Sequence, residues 1–235
     1  ALVEDMGRAA LLAGRPLAGK GVATVNGTAN LLAGSFDGEA AVSGTDLRVG
    51  QAELDSLLRG ASEISASVKR DETGTTLRRL DLRATGLQVT ASGTVASAGS
   101  DLAAELAFDD LASLGGAYSG SLKGRAHFTG TMDAGKVTLN ADGDGLAIGQ
   151  AQVDALLSGA SVISLEGTLR DGGLDLAPLQ VTAASLSAVV KGRVDTDGND
   201  LSADLVFRDL GSLGAGYRGA LSGTATFKGT AEDGV

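Results

Sequence analysis

The chain is poor in several residue types, and each scarcity excludes something. Its 235 residues include no cysteine, no tryptophan and only two prolines, and aromatic residues make up 3%. Without cysteine there is no disulfide, thiolate metal ligand or thiol nucleophile, and the redox compartment stays open. No apolar run approaches the roughly 18 residues of a membrane-spanning helix. No signal peptide is visible, and we expect the chain to be a segment of a longer protein.

Basic residues are also few, and this argues against nucleic acid as a partner. The 19 lysines and arginines are scattered, and the formal net charge is −10. Binding a phosphate backbone requires clustered Lys and Arg. The same negative charge disfavours simple adsorption to an anionic membrane surface.

Glycine and small apolar residues are abundant instead. The chain contains 36 glycines, and 43% of its residues are apolar, mostly Ala, Leu and Val. This composition is typical of many short strands joined by tight turns, rather than of large helices around an aromatic core.

A unit of 99 residues repeats along the chain. Val49 and Gly50 return as Ile148 and Gly149, and the matches continue through the second copy. We therefore predict a partial repeat at 1–48, a full unit at 49–147 and a truncated unit at 148–235, forming one continuous β-groove. In such repeat arrays each unit completes the core of its neighbours in the same chain.

Within each unit, apolar and polar residues alternate, which predicts β-strands with one apolar face. Turn residues separate the alternating runs at 71–74, 97–100, 171–173 and 195–199, so neighbouring strands should pair as antiparallel hairpins. We predict about 13 strands of roughly 6 to 10 residues. Short helical turns are predicted at 52–58, 110–114, 151–157 and 209–213, and a weak helical pattern covers 2–12.

The predicted helices are too few to cover the apolar face of such a sheet. A sheet with one apolar face must bury that face against something. The sheet therefore closes on itself, curls into a trough or packs against another molecule, and the sequence pattern leaves these three open. Rows of Leu, Val and Ala with few Phe would suit a channel lined with hydrocarbon.

Two stretches carry a resemblance to a known family. Residues 57–71, and residues 108–114 with their counterpart from Phe207, resemble the repeat of TamB proteins, the inner-membrane components of the translocation and assembly module of Gram-negative bacteria. These proteins belong to the AsmA-like relatives of bridge-like lipid transfer proteins. The resemblance covers nearly the whole chain as a pattern of degenerate β-repeats.

The resemblance implies a fold, a location and a function. The fold would be mainly all-β: a curled antiparallel β-sheet repeat array, the "β-taco", with a few short helices. The segment would lie in the periplasm, anchored to the inner membrane through a part of the protein outside this chain. It would bind phospholipid acyl chains, conduct them between the inner and outer membranes, and support outer-membrane protein assembly and secretion. The implied partner is a TamA-like outer-membrane barrel, contacted through regions outside this segment.

Fifteen residues are predicted to line the lipid groove, because they form the apolar rows of the alternating runs. They are Leu80, Leu82, Leu87, Val89, Leu102, Leu106, Phe108, Phe128, Leu179, Val181, Leu186, Leu201, Leu205, Phe207 and Phe227.

No catalytic, cofactor or metal site is predicted, and the chain is not expected to be an enzyme. Residues 14–21 lack the Ser or Thr of a P-loop, and residues 140–145 lack the late Glu of an EF-hand loop, so both are interpreted as turns. Weak Ca²⁺ binding at Asp142 and Asp144 stays open. His127 is the only histidine and is expected to face water, without the partners of a hydrolytic triad.

Recurring polar residues are given structural roles. Asp55/Asp154, Asp71/Asp171, Asp101/Asp200 and Asp110/Asp209 are predicted to lie at turns or helix starts, where they accept hydrogen bonds from backbone N–H groups. Tyr118 and Tyr217 are predicted to pack against the protein. Two alternatives to lipid transport remain: a chaperone-like scaffold that holds nascent outer-membrane β-strands, and a surface β-solenoid adhesin with a packed interior.

Overall fold

A computed structural model describes residues 3–5, 18–30, 32–48, 50, 52–131, 133–195, 197–214 and 216–230. The chain divides into two compact units, Ala1–Gly116 and Ala117–Val235. Both units are mostly β-strand, and consecutive strands pair antiparallel within each. The first and last strands of a unit do not pair with each other among the described residues. The predicted fold class, a mainly β, antiparallel sheet with a few short helices, is therefore confirmed, and the structure adds that the sheet is not closed.

The first unit contains seven strands that lie side by side in chain order, with a short α-helix and a 3-10 helix in two of the connections. Its elements are β1 (Val3–Asp5), β2 (Ala18–Asn30), β3 (Ser35–Arg48), α1 (Ala52–Leu57), β4 (Ala61–Asp71), β5 (Gly74–Ala84), β6 (Leu87–Val95), β7 (Ser100–Phe108) and η1 (Leu111–Leu114).

The second unit also contains seven strands in chain order. Its elements are β8 (Ser119–Gly130), β9 (Ala134–Ala147), α2 (Ala151–Leu156), β10 (Ala160–Arg170), β11 (Gly173–Ala183), β12 (Leu186–Val194), β13 (Asn199–Phe207), η2 (Leu210–Leu213) and β14 (Leu221–Gly229).

The sequence repeat is matched by the secondary structure. Seven elements recur with both of their ends 99 positions further on: β3 as β9, α1 as α2, β4 as β10, β5 as β11, β6 as β12, β7 as β13, and η1 as η2. The predicted limits of the repeats as domains stay a prediction, because any residue of a periodic chain can serve as the start of a copy.

The predicted hairpins form where the turn residues stand. Asp171 and Gly172 both have positive φ values, 52° and 78°, and connect the paired residues Arg170 and Gly173. Two consecutive positive φ values match the right-handed twist of a tight hairpin. In the first unit, the Asp71 carboxylate accepts a hydrogen bond from the Thr73 N–H at 3.0 Å and fixes the β4–β5 turn.

The 3-10 helices begin as predicted at an aspartate. Asp110 accepts a hydrogen bond from the Ala112 N–H, and Asp209 accepts one from the Gly211 N–H, each at 2.8 Å. Both aspartates have extended backbones, so they act as N-caps. The helices predicted at 52–58 and 151–157 are also present, as α1 and α2.

Alternation along the strands gives each unit two chemically different faces. Antiparallel register aligns residues of the same face on neighbouring strands. We define the apolar face of the first unit by three rows across β3 to β7: Val42, Ile64, Leu82, Val89, Leu106; Ala40, Ala66, Leu80, Ala91, Ala104; and Gly38, Val68, Leu77, Gly93, Leu102.

The apolar face of the second unit has the same construction across β8 to β14. Its three rows are Gly124, Ala141, Ile163, Val181, Ala188, Leu205, Gly223; Ala126, Leu139, Leu165, Leu179, Val190, Ala203, Ala225; and Phe128, Val137, Gly167, Leu176, Gly192, Leu201, Phe227. The opposite, polar faces carry Thr, Ser, Asp, Glu, Lys and Arg.

A β-bulge interrupts the same place in both units. On β5, Leu77 and Leu80 oppose Gly93 and Ala91, so the first strand has one residue more than the second between these pairs. Leu176 and Leu179 of β11 oppose Gly192 and Val190 in the same way. Bulges bend a strand and increase its local twist. Pro178 lies within the second bulge, where the ladder does not need its missing N–H.

Several expectations about the strands are wrong. The described part of the chain contains 14 strands, close to the predicted 13, but eight of them are longer than the predicted 6 to 10 residues: β2 to β5 and β8 to β11 have 11 to 14 residues, whereas β6, β7 and β12 to β14 have 9. Residues 140–145 are not a turn: they lie inside β9, where Asp142 and Asp144 project from the polar face. Asp101 and Asp200 also lie within strands, β7 and β13. Water hydrates these carboxylates on the polar face, so they do not need to lie in a turn.

The helical pattern at 2–12 is wrong for Val3–Asp5, which form strand β1 and pair with β2. The remainder of that pattern lies outside the described residues, as does the start of the P-loop-like stretch at 14–17. Residues 18–21 of that stretch belong to β2.

Asp171 is the first residue of its turn, whereas Asp71 ends β4; the counterpart of Asp71 at the 99-residue offset is Arg170.

Candidate functional site

Eleven of the fifteen predicted lining residues belong to the three rows that define the apolar faces. The other four continue these faces toward the helical end, as the pairs Leu87–Phe108 and Leu186–Phe207, and none of the fifteen is exposed. Leu87 and Leu186 are buried, and the other thirteen are half-buried. The sequence analysis missed several apolar residues of the same rows, among them Val42, Ile64 and Leu139. Alternation also runs through these residues, so it was a sufficient signal.

One end of each apolar face is sealed by the helical connections. Leu58, which follows α1, is only 6% exposed and packs with Leu47 against Val42, Leu82 and Ala84. The same position is reinforced by Ser62, whose hydroxyl donates to the Leu58 carbonyl at 3.4 Å.

The second unit repeats this seal. Leu156 of α2 is 6% exposed and packs against Ala183, Leu186 and Ala188, with Leu213 of η2 beside them. The hydroxyl of Ser161 donates to the carbonyl of Leu157 at 3.4 Å. The helices thus cover the strand ends next to the long connections, and they do not extend over the central rows.

The other end of the apolar face, next to the short hairpin turns, is open. In the first unit, Phe36 is 41% exposed and Val95 is 45% exposed, and in the second unit Val194 is 38% exposed. Among the described residues, no helix packs on this end of either unit. Large apolar side chains in solvent favour a contact with a further apolar body.

An arginine lies at the open end of the first unit's apolar face. Arg70 is in register with Phe36 on β3 and Thr75 on β5, and Thr75 is in register with Val95. The guanidinium donates to the Thr75 hydroxyl at 3.3 Å. The equivalent residue of the second unit is Leu169, which faces Gly135 and Leu174.

Ion pairs hold the polar face of the first unit. Arg78, the extra residue of the β5 bulge, donates to Ser67 at 2.9 Å and forms a bidentate pair with Asp37 two strands away. This guanidinium lowers the pKa of Asp37. Arg79 likewise pairs with Asp81 and lowers the pKa of that carboxyl.

A similar network stabilises the hairpin end of the second unit. Arg193 donates to Asp195 at 2.8 Å, to Asp175 at 3.2 Å and to the carbonyl of Arg170 at 2.9 Å. These pairs raise the pKa of the Arg193 guanidinium, with Asp195 the leading cause. The arrangement ties β10, β11 and β12 together and leaves no reactive group unpaired, so its role is structural.

Shallow depressions lie on the first unit. One of about 410 Å³ on the polar face is lined by Thr24, Asn26, Glu39, Ser65, Ser67 and Arg79, among others. A second, of about 300 Å³, opens at the hairpin corner and is lined from both faces, by Lys69 of the polar face and by Phe36 and Arg70 of the apolar face. A twisted sheet is saddle-shaped, so each face is concave along one diagonal. The twist therefore accounts for concavity on the polar face.

The remaining candidate residues do not assemble into a reactive site. His127 is exposed on the polar face of β8, in register with Thr138, as expected. No three His, Asp or Glu side chains come together as a metal site in the described ranges. The packing predicted for the two tyrosines is wrong, because Tyr118 is 44% and Tyr217 is 59% exposed.

Comparisons of the chain with protein-family models, curated proteins and solved structures found no significant match. Within the described residues, no helix combines the length and the apolar character needed to cross a membrane.

Proposed function

We propose that this segment binds phospholipid acyl chains along its apolar faces and passes them along a chain of such faces. The observation that carries the proposal is the incomplete cover of these faces. The helices bury one end, most residues of the central rows are half-buried, and Phe36, Val95 and Val194 are exposed at the hairpin end. Each methylene group removed from water contributes about 0.8 kcal/mol, so an acyl chain would stabilise this surface.

The repeat supports conduction rather than storage. The rows of the two units have the same register, and they consist of Leu, Ile, Val, Phe, Ala and Gly, with no polar side chain among them. A uniform apolar surface binds a chain without fixing its position, so the bound chain can slide. We therefore assign no catalytic step and no cofactor to the segment.

The wider setting follows from the resemblance to TamB proteins. In that setting the segment lies in the periplasm, belongs to a protein anchored in the inner membrane and serves outer-membrane assembly with a TamA-like barrel. The consecutive antiparallel pairing of the strands supports this architecture over the parallel coils of a β-solenoid adhesin.

The test compares face-specific variants for bound lipid. Leu102→Asn and Leu201→Asn place an amide in the open rows of β7 and β13, and neither residue belongs to the packed clusters at the helical ends. Ala103→Asn and Val206→Asn place the same amide on the polar faces of the same two strands. The wild type and the four variants are purified after expression in a Gram-negative host and analysed by native mass spectrometry and lipid extraction.

We expect phospholipid to accompany the wild type and the polar-face controls, and to fall several-fold in the apolar-face variants. Circular dichroism checks that all four retain the fold. Absence of lipid from the wild type, or equal lipid in all variants, would refute the proposal. Crosslinks to unfolded barrel strands in place of lipid would support the chaperone-like scaffold.

A further inference from the structure

We infer that Arg70 binds the phosphate group of a lipid whose acyl chain lies along the apolar face of the first unit. The inference rests on the proposed function and adds a headgroup site to it. Its starting point is a cation at the end of an otherwise uncharged row, Ala29, Phe36, Arg70, Thr75 and Val95.

The charge of Arg70 has no carboxylate partner in the described part of the chain. Its guanidinium donates to Thr75, and no ion pair involves it. The two carboxylates that line the depression at this corner are engaged elsewhere: Asp37 by Arg78, and Asp71 by Lys69 at 3.0 Å. The planar guanidinium has five N–H donors, which suit the oxygens of a phosphate.

The fold does not need a charge at this position. The corresponding residue in the second unit is Leu169, in the same register on the same strand of the repeat. A leucine therefore satisfies the packing at this position, and the positive charge of Arg70 is not required for the fold. The exposed Phe36 ring next to it and the depression of about 300 Å³ at this corner give a ligand access.

The distance from Arg70 to the helical seal fits one acyl chain. Val68, Ala66 and Ile64 continue along β4 on the same face, and Ser62 lies under Leu58 at the far end. Six to eight residues of strand span roughly 20 to 26 Å. One leaflet of a bilayer's hydrocarbon core is about 15 Å thick. A phosphate at Arg70 therefore leaves room for its chain before the seal.

The experiment measures the binding of two monomeric lipids by isothermal titration calorimetry. Dioctanoyl-phosphatidylglycerol carries the phosphate, and dioctanoylglycerol has the same chains without it. Both are used below their aggregation concentration, because the net charge of −10 would repel anionic vesicles. Glycerol 3-phosphate, which has no acyl chains, is the third ligand.

We expect the wild type to bind the phospholipid on the order of tenfold more tightly than the diacylglycerol, as one charge-assisted contact provides. Arg70→Leu reproduces the Leu169 side chain and removes most of this preference while retaining diacylglycerol binding. Arg83→Gln, on the polar face of β5, keeps the preference.

Each other outcome overturns the inference in a distinguishable way. Equal affinity for both lipids, or a preference that survives Arg70→Leu, refutes the headgroup site and leaves acyl-chain binding intact. Tight binding of glycerol 3-phosphate alone identifies a free-phosphate site instead. If neither lipid binds, the proposed function fails as well.

Discussion

Gly93 and Gly192 occupy equivalent positions on β6 and β12, where the neighbouring strand leaves no room for a side chain. Their φ values are 142° and 129°, and an added Cβ would overlap the backbone oxygen of Asp101 or Asp200. The two residues also stand opposite the bulges of β5 and β11. Glycine is therefore required here both by backbone conformation and by space.

We predict that Gly93→Ala and Gly192→Ala each destabilise the protein by about 1–3 kcal/mol, because the side chain forces a strained backbone to shift. Gly223→Ala is the matched control, since nothing lies within 4 Å of its added Cβ. Urea denaturation followed by circular dichroism measures the difference. Equal midpoints for the three variants would show that the strands move apart freely.

Asp71 makes the stability of the β4–β5 hairpin depend on pH. Hydrogen bonds from Thr73 and then Lys69 lower its pKa from 3.8 to about 2. The folded state therefore binds fewer protons than the unfolded state between these values. The stabilising contribution of this carboxylate is complete above pH 3.8 and is lost as the pH falls through 2.

We predict that Asp71→Asn lowers the urea midpoint at pH 7, and that its difference from the wild type shrinks below pH 4 and vanishes near pH 2. The asparagine keeps an oxygen for the Thr73 N–H but loses the attraction to Lys69. Urea titrations at pH 7, 4, 3 and 2 measure this trend. A difference that stays constant over the whole range would contradict it.

At the scale of the elements, the short helices act as seals. Leu58 follows α1 and is 6% exposed, and it buries the strand ends around Val42 and Leu82. We predict that Leu58→Ala costs about 2 kcal/mol, at the lower end for a buried leucine because the site lies at the periphery of the sheet. Leu32→Ala, at a fully exposed turn position, should leave the thermal midpoint unchanged. Differential scanning calorimetry compares the two, and equal losses would mean that the seal contributes nothing.

The elements show what the sequence could predict. Alternation on β7 and β13 identified both faces, and the turn residues at 71–74 and 171–173 located two hairpins, because both signals are local. Asp110 and Asp209 marked the 3-10 helices for the same reason.

The strand limits were harder to predict, because the long strands end in polar and glycine-rich residues that resemble turns. β9 contains Asn140, Asp142 and Asp144 on its solvent side, and their composition alone indicated a loop. The seal and Arg70 were also missed. Both depend on which residues of distant strands stand in register, and a single sequence does not give that register.

The repeat brings six strands per copy, as between β8 and β14 of the second unit. Six is even, so in an antiparallel ladder the corresponding strands of successive copies run in the same direction. Their helical connections then fall on the same margin every time, whereas five or seven strands would alternate them. Each further copy of the repeat therefore adds roughly 29 Å to the ladder. It keeps the direction of the corresponding strands and the margin on which the helical connections lie, so the ladder can be lengthened by gene duplication without a change of design.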